Sequence, residues 1–283
     1  MPLVTSKKFL LDAQKGGYAI GAFNCENMEM VQAIIAAAEE LKSPVIIQTT
    51  PGTVKYGGLA YYYANVYAGA SRATVPVALH LDHGSSYELA SQAYREGYTS
   101  IMIDGSKLPF EENIALSRKV VEMCSVSNIP VEAELGRVGG KEDDLVSNED
   151  IYTDPAKAVE FAKKTGVTSF AVAIGTAHGF YAKKPVLDIN RLTEIRKVID
   201  IPLVLHGASG LTDEQVTECV KRGICKVNFA TELRDAFSKG VKKVIGDNPN
   251  VIDPKTYNKE GRECVKELVK HKILVCGSAN TVK

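Results

Sequence analysis

The chain carries no excess of charge of either sign, with 34 lysines and arginines against 34 aspartates and glutamates. That balance argues against a general nucleic-acid or membrane-surface binder, while leaving room for a local anion pocket. No apolar run approaches the roughly 18 residues that a bilayer span requires. The opening stretch, MPLVTSKKFLLDAQKGG, has no small-residue cleavage site, so it reads as a short helix capped by Thr5 or Ser6 and not as a signal peptide. The six cysteines include no C-x-x-C pair. In a leaderless chain they are expected to be reduced, mostly buried thiols of a cytoplasmic protein. No low-complexity linker divides the 283 residues, so one domain is expected.

What the chain does have is a rhythm. Apolar runs of strand length fall at 18–24, 44–50, 75–82, 100–104, 130–136, 169–175, 202–206 and 224–228, and several open on proline, which suits a strand's first residue and not its middle. Amphipathic stretches follow them, among them 28–41, 111–126, 154–164 and 213–222. Strand starts recur every 22 to 39 residues, the spacing of βα units. Eight such units in fewer than 300 residues predict an α/β fold, a (β/α)8 TIM barrel, with a doubly wound sheet as the runner-up. Segments 232–244 and 253–273 then extend the chain as helix, the second a C-terminal helical arm over the barrel or at a dimer contact.

The carboxyl ends of these strands carry Asn24, Thr50, Asp82 with His83, Asp104, Glu134, His178, His206 and Asn228. In a barrel those ends converge on one mouth. Random helix caps would be mixtures of serine, aspartate and glycine, whereas four of the five histidines lie at these ends. His80 alternates away from His83 along its strand and is expected to be structural.

These segments resemble the zinc-dependent (class II) ketose-bisphosphate aldolases. The matching motifs are HLDHG (80–84), SIMIDGS (100–106), VEAELGRVGGKEDD (131–144), AVAIGTAHG (171–179), PLVLHGASGL (202–211) and GICKVNFATEL (223–233), in the family's order along nearly the whole chain. AIGTAHG and KVNFATEL look most like the tagatose-1,6-bisphosphate branch, and HLDHGSS looks equally like the fructose-1,6-bisphosphate branch. The resemblance implies reversible retro-aldol cleavage of a ketohexose 1,6-bisphosphate to dihydroxyacetone phosphate and glyceraldehyde 3-phosphate. It implies a catalytic Zn2+ on His83, His178 and His206, with Asp104 and Glu134 as an alternative metal position or as partners orienting the imidazoles. Asp82 is implied as the group exchanging a proton with the C4 hydroxyl. Glu142, in a glycine-containing loop that reads as a lid, is implied as acid/base at the dihydroxyacetone phosphate carbon, with Asp143 and Asp144 as competitors beside it.

A phosphate site is expected at Gly179, Gly207-Ala208-Ser209 and Asn228-Phe229-Ala230-Thr231, where strand ends lead into amide-rich turns and a helix N-terminus. Asn24 and Thr50 are expected to bind the enediolate and substrate hydroxyls, and Arg262 the second phosphate, from this subunit or a neighbour. The family also implies a monovalent cation (Na+ or K+) near the phosphate, a homodimer or homotetramer, and for some tagatose members a noncatalytic partner subunit. Lys141 departs from the family at a lid position that often holds Glu or Gln. Phe229-Ala230 lacks the extra Asn or Asp of fructose-specific members, which leans towards tagatose, whereas Arg262 leans the other way. Two other readings stay open: a Schiff-base aldolase using Lys226, and a noncatalytic barrel subunit.

Overall fold

Each expected apolar run is a parallel strand of a closed barrel in the computed structural model, which describes residues 3–142, 145–147, 152–181 and 185–282, with the side chains of 140–142 and 145–147 left aside. The barrel strands are β1 (Ile20–Asn24), β2 (Val45–Thr49), β3 (Val77–Gly84), β4 (Ser100–Ile103), β5 (Val131–Leu135), β8 (Ser169–Val172), β10 (Leu203–Leu205) and β11 (Ile224–Phe229). Their order around the wall is β1-β11-β10-β8-β5-β4-β3-β2. Every barrel pairing is parallel. The doubly wound alternative is thereby excluded, because the first and last strands pair directly through Ile20 and Lys226.

Helices form the outer ring: α2 (Met28–Glu40), α3 (Pro51–Gly57), α4 (Leu59–Ala70), α5 (Tyr87–Glu96), α6 (Phe110–Ser125), α7 (Pro155–Thr165), α8 (Ile189–Val198), α9 (Asp213–Lys221) and α10 (Thr231–Asp247). Several start on side-chain caps, including Asn27, Thr50, Ser86, Asp154 and the Thr212–Gln215 capping box. The barrel floor is closed by α1 (Lys7–Gly16), whose Phe9, Leu10 and Ala13 pack on Ile20, Ala22, Ile46 and Ala78. Ser6 precedes that helix as expected, but its hydroxyl does not cap. It meets the Ser100 hydroxyl at 2.9 Å, tying the plug to the lumen.

The C-terminal arm is α11 (Pro254–Cys276), packed against α2 and α10 through Val265, Val269 and Ile273. Gly240 and Gly261 let α10 and α11 cross closely, since a Cβ on Gly240 would sit 2.8 Å from the Gly261 Cα. The expected lid loop contains strand structure instead. Strand β6 (Gly139–Glu142) pairs antiparallel with β7 (Leu145–Ser147) and parallel with β9 (Ala177–His178). No helix among the described residues is long and apolar enough to cross a membrane.

Candidate active site

Strict alternation along β3 would send Asp82 and His83 to opposite faces of the wall. The backbone prevents this. His83 has φ 48, in the left-handed region, and the β3–β4 register shifts between Leu81 and Gly84. Both side chains consequently reach the carboxyl-end mouth. His80 and Asp82 keep the regular alternation and are both buried.

Ligand nitrogens of His83, His178 and His206 all lie within 4.8 Å of one another, and a second set of ligand atoms, from His83, Asp104 and Glu134, meets the same limit. Tetrahedral zinc, with Zn–N distances of about 2.0–2.1 Å, separates two nitrogen ligands by roughly 3.3 Å, a separation within the limit met by the histidine cluster. Its hydrogen bonding adds a sharper test. His83 Nδ1 lies 2.8 Å from Asp104 Oδ2, and His206 Nε2 lies 2.8 Å from Glu132 Oε1. The remaining nitrogens, His83 Nε2 and His206 Nδ1, face each other at 2.8 Å. If each neutral ring gives its N–H to its carboxylate, two lone pairs point at one spot, an arrangement that calls for a cation between them. Burial, then the neighbouring His83 and His206, hold His178 well below the usual histidine range, so it stays neutral and able to ligate.

The carboxylates behind the rings are ionised. Burial opposes this at Asp104, but the His83 N–H hydrogen bond, with those from Ser106, outweighs it and holds the carboxyl well below the usual range. Burial likewise opposes ionisation of Glu132, and the Lys226 ammonium with the His206 hydrogen bond outweighs it. Glu134 Oε2 is 3.7 Å from His206 Nδ1.

Asp82, 1% exposed, is held by side-chain amides. Gln48 Nε2 donates to Asp82 Oδ2 at 3.0 Å and to Asn24 Oδ1 at 2.7 Å, Asn228 Nδ2 donates to Asp82 Oδ1 at 3.0 Å, and Asn24 Nδ2 donates to Oδ2 at 3.4 Å. One layer deeper, Lys226 Nζ is 2.8 Å from Glu132 Oε2 and 3.3 Å from His80 Nε2, while His80 Nδ1 meets the Ser100 hydroxyl at 2.7 Å. The Schiff-base candidate is thus sealed beneath the amide layer with its ammonium in an ion pair.

Above Asp82 opens a cavity lined by Asn24, Asp82, His178, Gly179, Gly207, Ser209, Asn228, Ala230, Thr231 and Arg234. It brings together most of the expected anion site with Asp82 and His178. Asn228 Oδ1, buried in this lining, has no hydrogen-bond partner among the described residues, an acceptor suited to a hydroxylated ligand. Ala208 is buried behind the turn, and the Phe229 ring stacks on Phe23 at a centroid separation of 5.6 Å, so only their backbones can serve the site.

Thr50 is not in the cavity lining. Its hydroxyl caps α3 by accepting from the Thr53 amide, and the residue reaching Asp82 from β2 is Gln48. Arg262 is not there either. It lies on α11, donates to Gln32 Oε1 at 3.0 Å, and lines a separate groove with Ala33, Ala36 and Lys266. Glu142 ends β6, where its backbone pairs with Leu145, and its side chain, like all of Asp143 and Asp144, lies outside the described residues.

Gln48, Glu132 and Arg234 went unnoticed in the sequence. Glu132 had a signal, standing two residues before Glu134 on the same face of β5, whereas Gln48 ends an apolar run that reads as pure core. Arg234 donates Nε–H to Glu26 Oε1 at 2.8 Å, and Glu26 Oε2 accepts from Thr53.

The family model for class-II fructose-bisphosphate aldolase matches residues 4–281. Among solved structures, the YdjI aldolase from Escherichia coli K12 is 38% identical, with TM-score 0.89, covering 99% of this chain and 100% of its own. A Coccidioides immitis protein provisionally classed as a fructose-1,6-bisphosphate aldolase is 30% identical, with TM-score 0.90, over 98% and 97% of the two chains. The fructose-bisphosphate aldolase Fba of Campylobacter jejuni, at 24% identity and TM-score 0.82 over 99% and 97%, shares the fold.

Proposed function

The chain belongs to the class-II fructose-bisphosphate aldolase family and is a lyase, and from that premise we propose zinc-dependent, reversible cleavage of a ketohexose 1,6-bisphosphate to dihydroxyacetone phosphate and glyceraldehyde 3-phosphate. The observation that carries the reading is the pair of imidazole nitrogens 2.8 Å apart at the mouth, each ring backed by a carboxylate, next to Asp82. His83, His178 and His206 would hold the zinc. When bound, it supplies a Lewis acid for the substrate carbonyl and offsets the charge that cleavage leaves on the three-carbon fragment.

The chain's own residues do the rest. Asp82 takes the C4 hydroxyl proton as the C3–C4 bond breaks and returns it in condensation. Its orientation is set by Gln48 and Asn228, which hold one carboxylate oxygen each. The phosphate sits on the turns at 207–209 and 230–231, whose Gly207, Ser209, Ala230 and Thr231 line the cavity and where the start of α10 favours an anion. Glu142 exchanges the proton at the dihydroxyacetone phosphate carbon. Tagatose 1,6-bisphosphate is the preferred sugar, on the likeness of AIGTAHG and KVNFATEL to that branch.

The test compares kcat/KM for the tagatose and fructose bisphosphates before and after EDTA and after zinc is restored. EDTA should abolish turnover and zinc recover it. Asp82→Asn should lower kcat by about 10²–10⁴, the usual contribution of a positioned acid–base group, with zinc content unchanged. Chelator-resistant activity, or full activity in Asp82→Asn, overturns the reading.

A further inference from the structure

The phosphate turn of residues 207–210 is gripped from two sides. On the inner side, the Tyr181 hydroxyl donates to the Gly207 carbonyl at 2.6 Å and accepts from the Ala177 amide at 2.8 Å. On the outer side, the Gly210 amide donates to Glu232 Oε1 at 2.7 Å. Gly210 has φ 86, a conformation that glycine reaches without penalty and that aims its N–H at the carboxylate. The Ser209 hydroxyl, in between, accepts from the Ala230 amide at 3.2 Å and so joins the turn to the start of α10.

Glu232 is an awkward residue to find there. It lies in the first turn of α10, where it competes with a phosphate for the positive end of the helix dipole and repels a dianion nearby. The structure supplies a counter-charge from the far end of the chain. Lys272 of α11 is 4% exposed, and its Nζ lies 2.9 Å from Glu232 Oε2. The same Nζ is 4.0 Å from Asp213 Oδ1 and 5.3 Å from the Phe229 ring centroid, and Asp213 Oδ2 in turn meets His271 Nε2 at 2.8 Å. A lysine this deeply buried is retained only when paired, and Glu232 is the partner it touches.

We propose that Lys272 is a positioning residue for the anion site: it neutralises Glu232 and holds that carboxylate on the Gly210 amide, so that the turn at 207–210 is preset to receive a phosphate. The C-terminal helix is on this account part of the binding machinery, although none of its residues lines the cavity. The inference rests on the reading of 207–209 and 230–231 as the phosphate site.

The experiment titrates inorganic phosphate into the metal-free protein by calorimetry and measures kcat and KM for the ketose bisphosphate in the zinc-loaded protein. Lys272→Met should weaken phosphate binding and raise KM by about tenfold, the size of one lost hydrogen bond to a charged group, with kcat within about twofold. Lys272→Arg, which keeps the charge, should retain most of the affinity. Glu232→Ala, which removes the tether and leaves Lys272 beside Asp213, should weaken phosphate in the same direction, and it decides the matter if Lys272→Met does not fold. Unchanged phosphate affinity and KM in a folded Lys272→Met or Glu232→Ala protein overturns the proposal, as does a loss confined to kcat. Failure of the unaltered protein to bind phosphate at all overturns the phosphate-site reading and this inference with it.

Discussion

Replacing Lys226 by methionine isolates the buried pair under the candidate metal site. Lys226 and Glu132 are each 1% exposed, with Nζ 2.8 Å from Oε2. Methionine nearly preserves the volume, so packing changes little and the main effect is a buried carboxylate that has lost its cation. Breaking such a pair from one side costs about 3–5 kcal/mol. Glu132 still accepts from His206, which places the expected loss near the lower end, about 3 kcal/mol. Unfolding entropy near 2.1 cal/mol/K per residue, taken over the 283 residues, makes about 0.6 kcal/mol/K, so Tm should fall by about 5 °C.

The assay is calorimetric melting of the metal-free protein, since a ligand bound only to the folded state would mask part of the loss. Lys226→Met with Glu132→Gln removes both charges and leaves the glutamine oxygen for His206, so the double variant should recover most of the stability. A cycle of the two singles and the double should therefore return a coupling of at least about 3 kcal/mol, since Glu132→Gln alone leaves Lys226 buried without its anion. A Lys226→Met protein melting within about 1 °C of the parent, or a double variant as unstable as the single, would refute the reasoning.

Two further outcomes follow from the same network. Burial, then the charge of Lys226, lowers the His80 ring from 6.5 to about 3, so the unfolded chain takes up a proton that the folded ring refuses. The stability this confers is fully present above pH 6.5 and is lost progressively as pH falls towards 3, reaching roughly 2 kcal/mol at pH 5. Thermal melts of His80→Gln from pH 7.5 to 5 should decline less than those of the parent, and parallel curves would exclude His80 as the cause. Gly207 has φ 66, and a Cβ there would lie 2.6 Å from the Ala177 carbonyl oxygen, beside His178. Gly207→Ala should lose at least about 1–2 kcal/mol from the left-handed backbone alone and also weaken zinc in a chelator competition. Unchanged stability and zinc affinity would show that the turn can shift without moving the histidine.

Much of the molecule is written in local pattern. The period of βα units, the prolines opening strands and the polar strand ends are properties of short segments, and a parallel barrel has only one place to gather strand ends. His178, His206 and the turns at 179, 207–209 and 228–231 could therefore be named from the chain alone. Tertiary closure decided which polar groups meet across the lumen. Gln48 and Asn228 reach Asp82, and Lys226 reaches Glu132 from a strand 94 residues away, through strand stagger that no local spacing encodes. The same holds for Lys272, which reads as one more charge on an amphipathic helix until α11 folds back on α10. His83 stands between the two. The motif marks it, but only the positive φ and the register shift at the end of β3 turn it into the mouth beside Asp82. Residue type and period are local and survive in the sequence, whereas a partner on another strand or helix, from 34 to 146 positions away, exists only once the chain has folded back on itself.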